Sequence, residues 1–140
     1  MSEPAERMKI LLVEDSLADI ELTLEALAGA KVANEVVVMR DGAAALAYLR
    51  TAADRPDLVI LDLNLPRLSG HEVLAAMRAD EGLRLIPVAV LTTSSADADV
   101  ARTYDLGGNC FLTKPVDVDQ FVNVVQSIDD FWLGLVRLPQ

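Results

Sequence analysis

Acidic side chains follow two short apolar segments of the sequence. Glu14 and Asp15 come directly after "ILLV", and Asp62 comes directly after "LVIL". Two carboxylates about 4 Å apart repel each other by about 4 kcal/mol at an effective dielectric constant of ~20, so a fold that brings these residues together needs a cation there. Oxygen ligands without a nearby His or Cys favour Mg²⁺. These residues therefore predict a magnesium site.

Two further polar residues lie at the ends of later apolar segments. Thr92 ends "VAVLT", and Lys114 follows "CFLT". A lysine supplies positive charge and a threonine supplies a hydroxyl donor, and phosphoryl oxygens accept both. An aspartate carboxylate can act as a nucleophile and form an aspartyl phosphate. Since positioning and charge neutralisation are most of what phosphoryl transfer requires, the set predicts a site that can hold a phosphoryl group in line with a carboxylate nucleophile.

The elements that must position these residues alternate between strand and helix. Apolar runs predict five strands, and helical apolar spacing with a capping residue predicts a helix after each one. The predicted strands are 10–13, 35–39, 58–61, 88–92 and 110–113; the helices begin after Ser16 or Asp19, after Asp41, after Gly70, near 95 and near Asp117. Continuously apolar strands indicate a parallel sheet that is covered on both faces. We therefore expect an α/β fold of the (βα)5 flavodoxin-like type, an open parallel five-stranded sheet in the order 2-1-3-4-5 with helices on both faces, whose ligands lie at the carboxyl ends of the strands.

The composition limits the classes of partner. The chain has 140 residues, of which 52% are hydrophobic, and a formal net charge of -10. Such a charge argues against nucleic acid or an anionic membrane as the main partner. The single cysteine, Cys110, excludes an intrachain disulfide. Because neither a signal peptide nor a membrane-spanning run is visible, we expect a cytoplasmic protein. We divide it into a disordered tail (1–7), one domain (8–133) and a C-terminal tail (134–140).

Four motifs resemble those of one family. They are "VED" (13–15), "LDLNLPRLSG" (61–70), "LTTSS" (91–95) and "FLTKP" (111–115), and together they extend over most of residues 8–130. Their order and spacing resemble the receiver domain of two-component response regulators. The resemblance implies a phosphoacceptor switch that uses Mg²⁺, with only self-phosphorylation and autodephosphorylation chemistry.

The resemblance also implies a role for each matched residue. Asp62 would be the phosphoacceptor, and Thr92 and Lys114 would contact the phosphoryl oxygens. Asp15 and Asp62 would bind Mg²⁺ directly, Glu14 through water and Asn64 through its backbone carbonyl. The peptide before Pro115 would be cis. Thr92 and Phe111 would form the pair that switches on phosphorylation.

The resemblance further implies partners. The stretches "ADEGLRLIPVAVLTTSS" and "DDFWLGL" resemble single-domain regulators that are paired with bacterial phytochromes. We therefore expect a sensor histidine kinase, here a bacteriophytochrome, as the phosphodonor. The apolar surface of the last helix predicts a homodimer through the fourth helix, the fifth strand and the fifth helix. The alternatives are a docking surface for the kinase, or a helix that ends near Trp132 with a tail that folds back over its own domain. The residues assigned to this interface are Val124, Phe131, Trp132 and Leu135.

Other functions are compatible with parts of the sequence. A phosphorelay shuttle would use the same residues as a terminal regulator. An aspartate-nucleophile phosphatase of the haloacid-dehalogenase type needs a D-x-D pair after its first strand, whereas Asp62 follows the third strand and is followed by "LN". A flavodoxin-like binding module needs a hydroxyl-rich loop where this chain has "VEDSLAD". A degenerate receiver would act without phosphate, which the complete acid, threonine and lysine set disfavours.

Overall fold

The computed structural model describes residues 7–30, 33–92 and 110–127, and these form five strands and four helices. The strands are β1 (Met8–Val13), β2 (Asn34–Met39), β3 (Leu58–Asp62), β4 (Val88–Thr92) and β5 (Cys110–Thr113). The helices are α1 (Leu17–Gly29), α2 (Gly42–Thr51), α3 (Gly70–Ala79) and α4 (Val118–Ser127). The helix predicted from residue 95 lies outside the described residues, so α4 corresponds to the fifth predicted helix.

The strands form one parallel sheet in the order β2-β1-β3-β4-β5, which confirms the predicted fold class. β1 lies between β2 and β3, with Ile10 opposite both Val36 and Leu58. At the other end of the sheet Thr92 is opposite Thr113. The register therefore brings the carboxyl ends of β1, β3, β4 and β5 to one edge.

Side chains alternate between the two faces of the sheet, as expected for extended strands. Ile10 and Leu12 pack in a buried cluster with Leu27 of α1 and Phe121 of α4. On the opposite face, a second cluster contains strand residues together with side chains of α2 and α3, namely Leu11, Val13, Leu46, Leu49, Leu74 and Met77. Helices thus cover both faces, which explains why the central strands β1 and β3 are mainly apolar.

The helices begin at polar caps that directly follow the strands or their loops. The N-cap side chains are those of Ser16, Asp41, Ser69 and Asp117. Of the two caps considered for α1, Ser16 is the one present: its hydroxyl accepts a hydrogen bond from the Asp19 amide at 3.3 Å. Each cap satisfies an amide group that the helix leaves without a partner, so the helix can begin close to the sheet edge.

Two backbone features shape the loops at this edge. Arg67, in the loop between β3 and α3, has a φ of 69°, and the Lys114–Pro115 peptide is cis. Gly70 packs so closely on β3 that an added Cβ would lie 2.6 Å from the Leu63 Cα.

Among the described residues, none of the helices is both long and apolar enough to span a membrane.

Candidate phosphoryl-transfer site

Three carboxylates converge at the carboxyl edge of the sheet. Glu14 and Asp15 follow β1, and Asp62 is the last residue of β3. One oxygen from each of the three lies within 4.8 Å of the others. Glu14 is fully buried and Asp62 is 2% exposed, whereas Asp15 is half-buried. Burial of this much negative charge requires a positive partner.

Lys114 supplies that charge from the end of β5. Its Nζ lies 2.8 Å from Glu14 Oε1, 3.1 Å from Asp19 Oδ2 and 3.2 Å from Asp62 Oδ2. The ammonium donates hydrogen bonds to Asp19 and Asp62. The contact with Glu14 is an ion pair without hydrogen-bond geometry, so Glu14 Oε1 has no hydrogen-bond partner within the described part of the chain.

Backbone amides hold the remaining carboxylate oxygens. The Ser16 amide donates to Glu14 Oε2 at 3.0 Å, and the Asn64 amide donates to Asp62 Oδ1 at 3.1 Å. Each buried carboxylate therefore contacts the Lys114 ammonium with one oxygen and a local amide with the other. This arrangement fixes the orientation of the Asp62 carboxylate.

The surroundings change the pKa values of two groups. Burial raises the pKa of Glu14, and the nearby charge of Asp62 adds to that effect; Lys114 and the Ser16 amide act in the opposite direction but do not offset it. Burial by itself would lower the pKa of Lys114, but its contacts with Glu14, Asp19 and Asp62 outweigh burial and raise it. Lys114 is therefore charged at neutral pH.

Comparison with known proteins identifies the family. A family model described as the response regulator receiver domain matches residues 10–126. This chain belongs to that family. Receiver domains of response regulators are in general signalling switches, phosphorylated on an aspartate, in two-component systems.

Several response regulators, some of them named for phytochromes, resemble this receiver domain over nearly its full length. The response regulator Rcp1 of Synechocystis sp. is 45% identical over 93% of this chain and 92% of its own. The bacteriophytochrome response regulator AtBRR is 44% identical, with a TM-score of 0.80 over 92% of this chain and 94% of its own. The phosphorylated cyanobacterial phytochrome response regulator RcpA is 49% identical, with a TM-score of 0.75 over 91% of this chain and 95% of its own.

The donor atoms of this receiver domain fit a magnesium ion. The three clustered groups offer only carboxylate oxygens, and one of these oxygens, Glu14 Oε1, is buried without a hydrogen bond from the described residues. Lys114 forms ion pairs with Glu14, Asp19 and Asp62, so four carboxylates, including Asp15, lie near one ammonium in the described part of the chain. A hard divalent cation would reduce the remaining excess of negative charge. A structure of Rcp1, with a TM-score of 0.73 over 95% of this chain and 99% of its own, contains bound Mn²⁺.

The other predicted site residues are described in part. Asn64 is exposed and presents its amide to Asp62. Thr92 ends β4 and Phe111 lies in β5, while Val124 lies in α4; the side chains of these three lie outside the described part of the structure. The interface residues Phe131, Trp132 and Leu135 also lie outside the described residues.

Two contacts at the site were not expected from the sequence. Asp19, considered only as a helix cap, accepts a hydrogen bond from Lys114. Arg40 follows β2, on the far side of β1, yet its guanidinium donates to the Asp15 carbonyl at 2.7 Å. The signal that points to Asp19 is its place in the first turn of α1, because that turn directly follows the carboxyl end of β1.

Proposed function

We propose that Asp62 accepts a phosphoryl group from a phosphohistidine of a sensor histidine kinase. The position of Asp62 supports this proposal. Asp62 is the last residue of β3, and its carboxylate lies beside two other carboxylates and 3.2 Å from the Lys114 ammonium. A carboxylate in a purely structural role would not need so many charged neighbours. The same arrangement supplies a nucleophile and the positive charge that a phosphoryl group requires.

The transfer forms one bond and breaks one. A lone pair of an Asp62 carboxylate oxygen attacks the phosphorus, and the bond between phosphorus and the histidine nitrogen breaks, with the electron pair leaving on the imidazole. The negative charge on the phosphoryl oxygens is neutralised by Lys114, and we assign a hydroxyl hydrogen bond to Thr92. The Asn64 amide, which donates to Asp62 Oδ1, keeps the carboxylate oriented during attack.

We assign Mg²⁺ to Glu14, Asp15, Asp62 and the backbone carbonyl of Asn64. When bound, the ion supplies a Lewis acid for the phosphoryl oxygens and lowers the repulsion between them and the carboxylates. The residues of the chain do the rest: they hold the nucleophile and the ammonium in place.

The phosphodonor that we assign is a bacteriophytochrome, a red and far-red light sensor. This chain resembles Rcp1, AtBRR and RcpA at 44–49% identity. The names of AtBRR and RcpA state an association with phytochromes. The output is contact between proteins, with Thr92 and Phe111 carrying the change from the site to the surface of β5. We assign a homodimer to that surface together with the predicted fourth helix and α4.

Labelling with acetyl phosphate, a small acyl phosphate donor, tests the assignment of Asp62. The wild type with Mg²⁺ should incorporate one base-labile phosphoryl group, and Asp62→Asn should incorporate none, because an amide is a poor nucleophile. Asp54→Asn is a matched control: Asp54 is exposed and pairs with Lys9, at the amino-terminal end of β1. Equal labelling of Asp62→Asn and the wild type would overturn the assignment.

Phosphotransfer profiling tests the donor. Autophosphorylated histidine kinases, including a bacteriophytochrome, are mixed with the chain, and transfer is measured within seconds. We expect the bacteriophytochrome to transfer fastest, with a rate that depends on red or far-red illumination. Faster transfer from kinases without a light-sensing domain would contradict the pairing and leave the role of Asp62 intact.

A further inference from the structure

Asp19 makes a contact that the proposed chemistry does not use. Its Oδ2 accepts a hydrogen bond from Lys114 Nζ at 3.1 Å, across 95 residues of sequence. The Lys114 side chain is 11% exposed and that of Asp19 is 32% exposed. Resting on the function proposed above, we propose that Asp19 is a positioning residue: it holds the Lys114 ammonium beside Asp62, where the phosphoryl group arrives.

The start of α1 explains why this carboxylate faces Lys114. In α3, the acid at the third helical position, Glu72, accepts a hydrogen bond from the amide of the N-cap Ser69 at 2.8 Å, which completes a capping box. Asp19 holds the equivalent position in α1, after the N-cap Ser16. There, however, the Ser16 amide donates to Glu14 at 3.0 Å. Since Glu14 occupies that amide, the Asp19 carboxylate is available to Lys114.

The three contacts of the Lys114 ammonium respond differently when a cation binds and when Asp62 is phosphorylated. The Lys114 ammonium donates hydrogen bonds to Asp19 and Asp62 and forms an ion pair with Glu14. Glu14 and Asp62 belong to the carboxylate cluster, so a cation competes with Lys114 for their oxygens. Asp62 also changes chemically when it is phosphorylated. Asp19 lies outside the carboxylate cluster and is not modified, so it is the contact that can keep the ammonium at the edge of the sheet.

A simpler role for Asp19 is to stabilise the start of α1. A negative charge in the first helical turn interacts favourably with the helix dipole. That role would change only the stability of the fold. The rate constant for loss of the phosphoryl group separates the two roles, because it is a first-order constant that counts only molecules already folded and phosphorylated.

The test compares Asp19→Ala, Asp19→Asn and the control Glu21→Gln, which removes an exposed acid from the same helix. Initial rates of labelling by acetyl phosphate and first-order dephosphorylation rates are measured with saturating Mg²⁺. We expect Asp19→Ala to slow both about three- to tenfold, the effect of losing one partly exposed hydrogen bond to a charged group. Asp19→Asn should keep most of the wild-type rates, because its amide oxygen still accepts from Lys114.

A double variant tests whether Asp19 acts through Lys114. In a Lys114→Ala background, adding Asp19→Ala should cause no further slowing. Unchanged rates in Asp19→Ala, or an equal further loss in the double variant, would overturn the inference while Asp62-dependent labelling remains. Asp19→Ser serves as a second variant if Asp19→Ala folds poorly. Failure of the wild type to label on Asp62 would instead overturn the proposed function and this inference together.

Discussion

At the residue scale, Glu14 and Lys114 each affect the pKa of the other. The folded state binds the Glu14 proton more tightly than the unfolded state does, because the pKa of Glu14 is raised. The stability that Glu14 contributes is therefore present at low pH and is lost as the pH rises through its folded pKa. The pKa of Lys114 is also raised. The stability that Lys114 contributes is therefore present below pH 10.5 and is lost as the pH rises through its folded pKa.

Mg²⁺ should raise the melting temperature of the wild type at neutral pH. At ten times the dissociation constant, a ligand that binds only the folded state adds about 1.4 kcal/mol, which corresponds to about 4 °C for a domain of this size. The rise should shrink on acidification, beginning at a higher pH than the titration of an ordinary glutamate, because protonated Glu14 no longer balances the cation. Thermal unfolding with and without Mg²⁺ at several pH values measures this effect.

Asp15→Ala is the variant that accompanies this measurement. It removes one of the three clustered carboxylates, so most of the rise caused by Mg²⁺ should disappear. The control is Asp57→Ala, which removes an acid whose side chain accepts from the Lys9 amide, at the start of β1. An equal response to Mg²⁺ in Asp15→Ala and the wild type would place the ion elsewhere.

The sequence was sufficient to predict the convergence of Glu14, Asp15, Asp62 and Lys114, because strand ends in a parallel sheet meet at one edge. It was not sufficient for Asp19. The direction of that side chain depends on whether the Ser16 amide is occupied, and this depends in turn on the conformation of Glu14. A first-turn acid after β1 is recognisable from the sequence, but its partner 95 residues away is not.

At the element scale, the loop between β3 and α3 fixes the position of Asp62. Gly70 begins α3, and its amide donates to the Leu63 carbonyl at 3.1 Å. This close approach holds α3 against the end of β3, one residue from the proposed phosphoacceptor. The sequence predicts the loop from Pro66 and Gly70, but the left-handed backbone of Arg67 is unexpected, because a residue with a Cβ adopts it at a cost.

Gly70→Ala should therefore damage both the fold and the site. The new Cβ would lie 2.6 Å from the Leu63 Cα, so β3 and α3 must separate; this should lower the free energy of unfolding by about 1–3 kcal/mol and slow labelling of Asp62. Gly29→Ala is the matched control, since its Cβ would meet only a Val118 methyl group, at 3.1 Å. Denaturant unfolding and acetyl phosphate labelling measure the two effects. Equal stability of both variants would contradict the steric argument.

At the scale of the whole molecule, the proposed site lies at one edge of the sheet, whereas the buried apolar residues that stabilise the fold lie on its two faces. Apolar side chains of the strands enter two clusters, one under α1 and α4 and one under α2 and α3. Because both faces are covered, we expect a change at the proposed site to reach other proteins along the outer surface of the helices and the β5 edge. The sequence predicts this architecture well, since five continuous apolar runs with intervening helices admit few other arrangements.

The outer surface of the last helix should form a homodimer. Phe121 of α4 is fully buried, whereas Val118 is 36% exposed, so the helix already presents an apolar side chain outside the core. A separate set of apolar residues, Val124, Ile128, Phe131 and Leu135, is spaced by three or four residues in the sequence, as on one helical face. Contiguous apolar surface of this kind commonly marks an interface.

Sedimentation velocity at high micromolar concentration checks this expectation. The wild type should sediment as a dimer, and Phe131→Glu should be monomeric, because a charge in an apolar interface loses its hydration without gaining a partner. Leu85→Glu makes the same change at an 86% exposed leucine between α3 and β4, and it should leave the dimer intact. A wild type that stays monomeric, both with and without a phosphoryl mimic, would rule out the homodimer. Loss of phosphotransfer in Phe131→Glu would then identify the kinase as the occupant of the apolar surface.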